Sequence, residues 1–114
     1  MYYQKKVFLL EYSMEKEYER LSNLLHYLEK TIDNRNKIFD QKSYTSNLLK
    51  KGVDRISQKI GEEAVEVVIA ANNNNKKNLI DESADLIFHL MILWKKKKIT
   101  LLEIAEELES RQND

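Results

Sequence analysis

The sequence contains no proline and only two glycines, Gly52 and Gly61, among its 114 residues. Tight turns between the strands of a sandwich or barrel depend on these residue types, because glycine adopts positive φ angles without strain and proline presets the φ of a turn. A chain with so little turn chemistry cannot make many such turns. The sequence therefore favours an all-α fold with long elements.

A long amphipathic helix is predicted for about residues 14–37. Apolar side chains recur there at helical spacing, and charged residues fill the positions between them. The apolar stripe consists of Leu21, Leu24, Leu25, Leu28 and Ile32. Asparagine, aspartate and serine residues then mark a break up to residue 43.

Two helices are predicted on either side of Gly52. The hydroxyls of residues 43–46 can cap a short helix, which Gly52 would end in a left-handed conformation. A long helix is then expected from about Val53 to Ala71. The asparagine run 72–75 ends it, because asparagine side chains compete for backbone hydrogen bonds.

The C-terminal part of the chain predicts two more helices. One begins near Asn78 and ends in the lysine run 95–98, whose positive charge complements a helix C-terminus. Thr100 and Glu103 have the spacing of a capping box ahead of a final helix to about Ser110. The prediction is an all-α bundle of about four to five helices.

The chain length indicates a single domain over residues 1–114, since 114 residues can form one ordinary core but not two. Residues 14–111 would form the core of this domain. Residues 1–13 are an N-terminal extension for which a strand, an extension of the helix and an arm packed on a partner all stay open.

Charge and composition exclude several classes. Nineteen basic and nineteen acidic residues give a net charge of +0, so no overall field attracts nucleic acid or an anionic membrane, although a local basic site stays possible. Without cysteine there is no disulfide, cysteine zinc site or thiol chemistry. No segment reaches the ~20 apolar residues of a membrane span. We expect a cytoplasmic protein.

Glutamates interrupt the predicted helix 53–71. Glu62, Glu63 and Glu66 fall within one sector about 100° wide, and Lys59 projects into the same sector. Valine, isoleucine and alanine fill the remaining positions between residues 64 and 71. The pattern predicts a helix buried on most sides, with one narrow acidic strip.

The next helix repeats this pattern, because Glu82 and Asp85 lie one turn apart among apolar residues. If the two helices pack antiparallel, four or five carboxylates converge. Like charges at such range oppose folding unless cations neutralise them. Oxygen ligands of this kind suit Mg²⁺ or Mn²⁺ better than zinc. A divalent ion can activate water and bridge phosphate oxygens, so phosphoanhydride hydrolysis is the matching chemistry.

Plainer explanations exist for the same residues. A single glutamate on a helix more often faces solvent or pairs with a lysine. Alternatively, the protein is a non-catalytic helical dimer in which the acidic strips serve only to determine how the helices pair. Hydroxyls at residues 43–45 could hold phosphate at a helix start or simply cap it. Arg55 and Lys59 lie one turn apart as possible phosphate contacts. His89 could be a metal ligand or a proton carrier, but His89 and His26 are both expected to be hydrogen-bonded core residues.

Two segments, SYTSNLLKKGVDRISQKIGEEAVEVVIAA and ESADLIFHLMILW, resemble the phosphoribosyl-ATP pyrophosphatase family of histidine biosynthesis. That family belongs to the all-helical MazG-like nucleotide pyrophosphohydrolases, whose signature Glu-Glu-x-x-Glu followed by Glu-x-x-Asp stands here at residues 62–66 and 82–85. The elements Ser-Tyr-Thr, Lys-Lys-Gly and Lys-Ile-Gly narrow the resemblance to the histidine-pathway enzyme. It covers about residues 21–111.

The resemblance implies hydrolysis of phosphoribosyl-ATP to phosphoribosyl-AMP and pyrophosphate, with Mg²⁺ or alternatively Mn²⁺ as cofactor. It also implies a homodimer, with helices of both chains around each site. The implied metal ligands are Glu63, Glu66, Glu82 and Asp85. Glu62 and Lys59 are the implied catalytic residues, with Glu62 either as a group that supports the metal ligands or as a base through water. The expected substrate contacts are Ser43, Tyr44, Thr45, Lys51 and Arg55.

Two features depart from the family pattern. The family usually has proline and glycine before the Ser-Tyr-Thr element, where this chain has the residues KIFDQK at 37–42. Residues 1 to about 13 also lie outside the usual domain. In some relatives this domain follows a cyclohydrolase, which would make the extension a linker remnant, but no cyclohydrolase metal motif occurs here. The nearest alternative function is a house-cleaning pyrophosphohydrolase that acts on free nucleoside triphosphates with the same metal chemistry.

Overall fold

A computed structural model describes the backbone of residues 2–112 and the side-chain environments from residue 14 to residue 112. Within these residues the chain forms no strand, and no helix is both long enough and apolar enough to cross a membrane. The helices are α1 (Tyr2–Lys37), α2 (Tyr44–Lys51), α3 (Val53–Asn72), α4 (Lys76–Lys96) and α5 (Leu101–Ser110). The predicted all-α fold class is confirmed, whereas a cytoplasmic location stays a prediction.

The N-terminal extension is helical where it is described. Helix α1 starts at Tyr2, so residues 2–13 extend the predicted helix rather than forming a strand. Met1 lies outside the described residues. Of the three possibilities left open for this segment, a helix extension therefore matches the backbone of residues 2–13.

Contacts divide the chain into two units, one ending at Thr31 and the other starting at Ile32. The described part of the first unit is helical throughout and belongs to α1. In this unit Leu21 and Leu24 of the predicted apolar stripe are 49% and 52% exposed. The stripe is present in the sequence, but half of each of these side chains stays accessible. A single domain over the whole chain stays a prediction.

The core of the second unit lies where α3 and α4 pack against each other and α2 packs on both of them. Short connections fix this arrangement, because only residues 73–75 separate α3 from α4. The buried apolar side chains come from α1, α2, α3 and α4: Ile32, Leu48, Leu49, Ile56, Ala70, Met91 and Ile92.

Side-chain caps start three of the helices, at Ser43 and Thr100 as the sequence predicts and at Asn75, slightly before the start predicted near Asn78. The Ser43 hydroxyl accepts from the backbone N–H of Ser46 at 3.1 Å, and Asn75 caps α4 in the same way. Thr100 and Glu103 form both hydrogen bonds of the predicted capping box, at 3.1 and 3.2 Å. These caps satisfy backbone donors that an uncapped helix start leaves without partners.

The last turns of α1 are tied to α2 and α4 by polar contacts within the second unit. Asp33 accepts from Lys95 of α4 at 3.2 Å, and its pKa is lowered by hydrogen bonds to Lys37 and Lys95. The buried Ser46 hydroxyl donates to the Arg35 carbonyl at 2.9 Å. The end of α1 therefore has defined partners on both neighbouring helices.

The two glycines provide a matched test of the fold. Gly52 ends α2 with a φ of 95°, which strains other residues, whereas Gly61 lies inside α3. A Cβ added at either position meets nothing within 4 Å. Gly52→Ala should therefore destabilise by about 1–2 kcal/mol through backbone strain, and Gly61→Ala should stabilise by about 1 kcal/mol through helix propensity. Urea unfolding measures both changes, and changes of the same sign would contradict this account.

Candidate active site

Helices α3 and α4 bring three carboxylates together. One oxygen from each of Glu63, Glu82 and Asp85 lies within 4.8 Å of the others. Glu63 and Glu82 are partly buried, whereas Asp85 is exposed. We call these three residues the carboxylate trio. Three of the four ligands expected from the sequence are therefore neighbours across the two helices.

Glu66 stands apart from the carboxylate trio. It follows Glu63 by one turn of α3 and is exposed, and it is not a member of the group that meets within 4.8 Å. Its negative charge is nevertheless close enough to contribute to raising the pKa of Glu82. The structure thus places the fourth expected ligand near the others without bringing it among them.

Within the carboxylate trio, the pKa of Glu82 is raised in the folded protein. Burial raises the pKa of Glu82 first, and a hydrogen bond to Glu63 and the negative charges of Glu63, Glu66 and Asp85 raise it further. A divalent cation among these oxygens would relieve the repulsion. The donor set consists of carboxylates, which fits a hard ion such as Mg²⁺ or Mn²⁺.

A small pocket with several cations borders α2 and α3. Its volume is about 90 Å³, and it is lined by Tyr44, Asn47, Leu48, Lys51, Arg55 and Lys59. We call it the cationic pocket. Four of its lining residues were expected from the sequence to contact substrate or take part in catalysis. Ammonium and guanidinium groups in one pocket favour an anionic ligand such as a phosphate.

Lys59 connects the cationic pocket to the carboxylate trio. Its Nζ lies 3.5 Å from a Glu63 oxygen and 3.3 Å from a Glu62 oxygen. The hydrogen bond to Glu62 is the main reason why the pKa of Lys59 is raised, although burial opposes it. Arg55 approaches Glu62 more loosely, at 3.9 Å. Glu62 therefore lies on the cationic side of the site and, unlike Glu63, is not a member of the carboxylate trio.

Two of the expected substrate contacts lie outside the cationic pocket. The Ser43 hydroxyl is occupied as the N-cap of α2, and neither Ser43 nor Thr45 lines the pocket. Tyr44, which stands between them, does line it. The Ser-Tyr-Thr element thus supplies one pocket residue and one helix cap.

The two histidines differ in environment. His89 is buried and hydrogen-bonded to Tyr44 and to the Asp85 carbonyl, each at 2.7 Å, as expected for a core histidine. The same expectation for His26 is wrong, because that residue is exposed. No local sequence pattern indicates the pairing between Tyr44 and His89, which lie 45 positions apart.

Comparisons with known proteins identify a family for this chain. The family model described as phosphoribosyl-ATP pyrophosphohydrolase matches residues 25–112. A phosphoribosyl-ATP pyrophosphatase of Leptospira biflexa is 55% identical over 86 residues, which cover 75% of this chain and 94% of that protein.

Longer relatives contain an additional part. The histidine biosynthesis bifunctional protein HisIE of Photobacterium profundum is 45% identical over 89 residues, covering 78% of this chain and 43% of that protein. Its counterpart in Caldanaerobacter subterraneus is 44% identical over 99 residues, covering 87% of this chain and 48% of that protein. The chain thus spans less than half the length of these bifunctional relatives.

Glu82→Gln should stabilise the metal-free protein at neutral pH. The folded-state pKa of Glu82 lies above its unfolded value, so the folded protein holds this proton more tightly than the unfolded chain does. The resulting stabilisation is present at low pH and is lost as the pH rises through the folded-state pKa. Thermal unfolding in chelator should show a higher midpoint for the variant at about pH 7–8 and a smaller pH dependence.

Asp81→Asn is the matched control, since Asp81 is an exposed carboxylate on the same helix outside the carboxylate trio. It should change the midpoint little. Equal stabilisation by both variants would show that general charge reduction, rather than repulsion within the trio, is responsible.

Proposed function

The chain belongs to the phosphoribosyl-ATP pyrophosphohydrolase family, and on that premise we propose that it hydrolyses phosphoribosyl-ATP to phosphoribosyl-AMP and pyrophosphate. This reaction is the second step of histidine biosynthesis, the pathway that also appears in the names of the bifunctional relatives. Water would attack the α-phosphorus, and the bond between this phosphorus and the oxygen that bridges to the β-phosphorus would break.

The observation that carries the proposal is the position of Glu63. Its carboxylate is a member of the carboxylate trio and also lies 3.5 Å from Lys59 of the cationic pocket. One side chain thus joins a candidate metal site to a candidate phosphate site. A phosphoanhydride substrate needs both, since its oxygens require neutralisation while water reaches the phosphorus.

We propose Mg²⁺ as the cofactor, with Mn²⁺ as a substitute, held by Glu63, Glu82 and Asp85. Glu66 is the proposed fourth ligand, because it lies one turn from Glu63 and its charge already acts on Glu82. When bound, such an ion supplies charge neutralisation at phosphate oxygens and lowers the pKa of a nearby water. The proximity of the three carboxylate oxygens supports this assignment.

The residues of the cationic pocket are proposed to bind the phosphates of the substrate. Lys51, Arg55 and Lys59 would bind phosphate oxygens and stabilise the negative charge that develops on the departing pyrophosphate. Glu62 is the proposed acceptor of the proton that the attacking water loses, directly or through a second water. The oxygen of water becomes part of phosphoribosyl-AMP, and pyrophosphate leaves with the electron pair of the broken bond.

We further propose a homodimer, for which the exposed apolar residues of α3 provide support. Val65, Val68 and Ile69 share one stripe of that helix and are 57%, 61% and 48% exposed. The expectation that α3 is buried on most sides is therefore wrong for a single chain. A second copy that covers this stripe would supply the missing burial, at about 25 cal/mol per Å² of apolar surface.

Purified protein with Mg²⁺ should release pyrophosphate from phosphoribosyl-ATP, and a chelator should stop the reaction. Glu63→Gln should lower kcat/KM by more than about 100-fold, since even the residues that support metal ligands are commonly worth about 10- to 100-fold. Glu66→Gln should also abolish hydrolysis while the helical circular dichroism is kept. Glu106→Gln on α5 is the matched control and should retain activity.

Two outcomes would overturn the proposed function. Turnover of deoxynucleoside triphosphates without turnover of phosphoribosyl-ATP would identify a house-cleaning pyrophosphohydrolase. The absence of any turnover, together with unfolding midpoints that Mg²⁺ and Mn²⁺ leave unchanged, would identify a non-catalytic helical dimer. Full activity of Glu66→Gln would remove only that residue from the ligand set.

Val68→Glu should convert the proposed homodimer into monomers, because each interface would then bury two unpaired carboxylates. Sedimentation velocity at micromolar concentration measures the change. Gln41→Glu introduces the same charge at an exposed position between α1 and α2 and should leave the dimer intact. Wild-type protein that sediments as a monomer would contradict the proposed assembly.

A further inference from the structure

Tyr44 and His89 form a hydrogen-bonded chain with a defined direction. The Tyr44 Oη lies 2.7 Å from His89 Nε2, and His89 Nδ1 lies 2.7 Å from the carbonyl oxygen of Asp85. A carbonyl oxygen only accepts, so Nδ1 carries the proton and donates it. In a neutral imidazole Nε2 is then the acceptor, and the Tyr44 hydroxyl must donate to it.

Packing holds the imidazole in this orientation. His89 is only 6% exposed, and the rings of Tyr44 and Phe88 meet it edge-on, with centroids 5.7 and 6.0 Å away. Both ring nitrogens already have partners. His89 therefore has no nitrogen left for a metal or a substrate, although it lies between the two halves of the site.

The direction of the chain restricts what Tyr44 can recognise. Tyr44 lines the cationic pocket, yet its single hydroxyl proton is already donated to His89. Ionised phosphate oxygens are acceptors, so they need a donor that Tyr44 does not have free. The lone pairs of the Tyr44 oxygen remain, and they can accept a hydrogen bond from a hydroxyl group.

We propose that the Tyr44 oxygen accepts a hydrogen bond from a ribose hydroxyl of the substrate. His89 is the positioning residue, because it takes the Tyr44 proton and so leaves Tyr44 as an acceptor. This inference rests on the proposed function, because the substrate must carry ribose hydroxyls as well as phosphates. It reassigns Tyr44 from the phosphate contacts expected from the sequence. Phosphate binding then falls to the three cations of the pocket.

Kinetics with two ligands test the assignment of Tyr44. Tyr44→Phe should raise KM for phosphoribosyl-ATP roughly 2- to 10-fold, because one neutral hydrogen bond to the substrate is lost. The kcat should be nearly unchanged, because this bond is made equally in the ground state and the transition state. The inhibition constant of pyrophosphate, tested as its Mg²⁺ complex, should stay unchanged because this ligand has no ribose. Lys51→Ala, which removes a cation, should weaken the binding of both phosphoribosyl-ATP and pyrophosphate.

The role of His89 is tested through variants that each keep one half of the imidazole. His89→Gln keeps an acceptor near the Nε2 position and should preserve KM, whereas His89→Asn keeps only the donor side and should reproduce the effect of Tyr44→Phe. The double variant His89→Asn with Tyr44→Phe should be no worse than either single variant, because both remove the same interaction.

Nitrogen-15 NMR of His89 tests the direction of the chain without any substrate. At about pH 8, Nδ1 should be protonated because it faces a carbonyl oxygen, Nε2 should not be protonated, and Tyr44→Phe should shift the Nε2 resonance. A proton on Nε2 would overturn the inference whether or not the protein is active.

The kinetic outcomes separate the two proposals. If the wild-type protein does not turn over phosphoribosyl-ATP, the proposed function is wrong, and the proposed ribose recognition is then wrong as well. If the wild-type protein is active, ribose recognition is contradicted, and the proposed function is not, when Tyr44→Phe weakens the binding of pyrophosphate as much as that of the substrate. The same holds when the variant leaves the binding of both ligands unchanged. A kcat loss in His89→Asn that exceeds its KM change would instead indicate that His89 acts on the reacting groups.

Discussion

The packing of α3 against α4 holds Glu63, Glu82 and Asp85 together against their mutual repulsion, and the arrangement of the site follows from that contact. Apolar side chains on both helices bury enough surface to make the contact, while the carboxylates oppose it. The raised pKa of Glu82 is the visible sign of this conflict. A fold that keeps such a conflict has a ready place for a divalent cation.

The cationic side of the site balances the acidic side without neutralising it. Lys59 lies between Glu62 and Glu63, so one ammonium faces both the pocket and the carboxylate trio. Among the residues that the structure describes, the trio forms one ion pair with a cation, between Glu63 and Lys59. Lys51 and Arg55 line the cationic pocket, and Arg55 approaches Glu62 only to 3.9 Å.

Helical periodicity and capping patterns were sufficient to predict most of the fold. The capping box at Thr100 and Glu103 and the end of α2 at Gly52 follow from local chemistry, so sequence reasoning placed them correctly. Periodicity also grouped the acidic residues on α3 and α4. It could not show that Glu66 stays outside the trio, because that depends on how far one helix is rotated against the other.

Contacts between distant parts of the chain were beyond the reach of sequence patterns. The pairing of Tyr44 with His89 joins α2 to α4, and neither residue has a local feature that signals the other. Solvent exposure was misjudged where apolar residues have no partner in a single chain, as at Val68. The sequence indicated that the stripe is apolar but not what covers it.

Anomalous diffraction from crystals grown with Mn²⁺ would show whether the carboxylate trio binds a divalent cation. We expect a manganese peak within bonding distance of carboxylate oxygens from Glu63, Glu82 and Asp85, with Glu66 turned toward it as a further ligand. A peak at another position, or carboxylates of the trio that remain without metal at saturating Mn²⁺, would contradict the claim that this acidic cluster exists to bind a divalent cation.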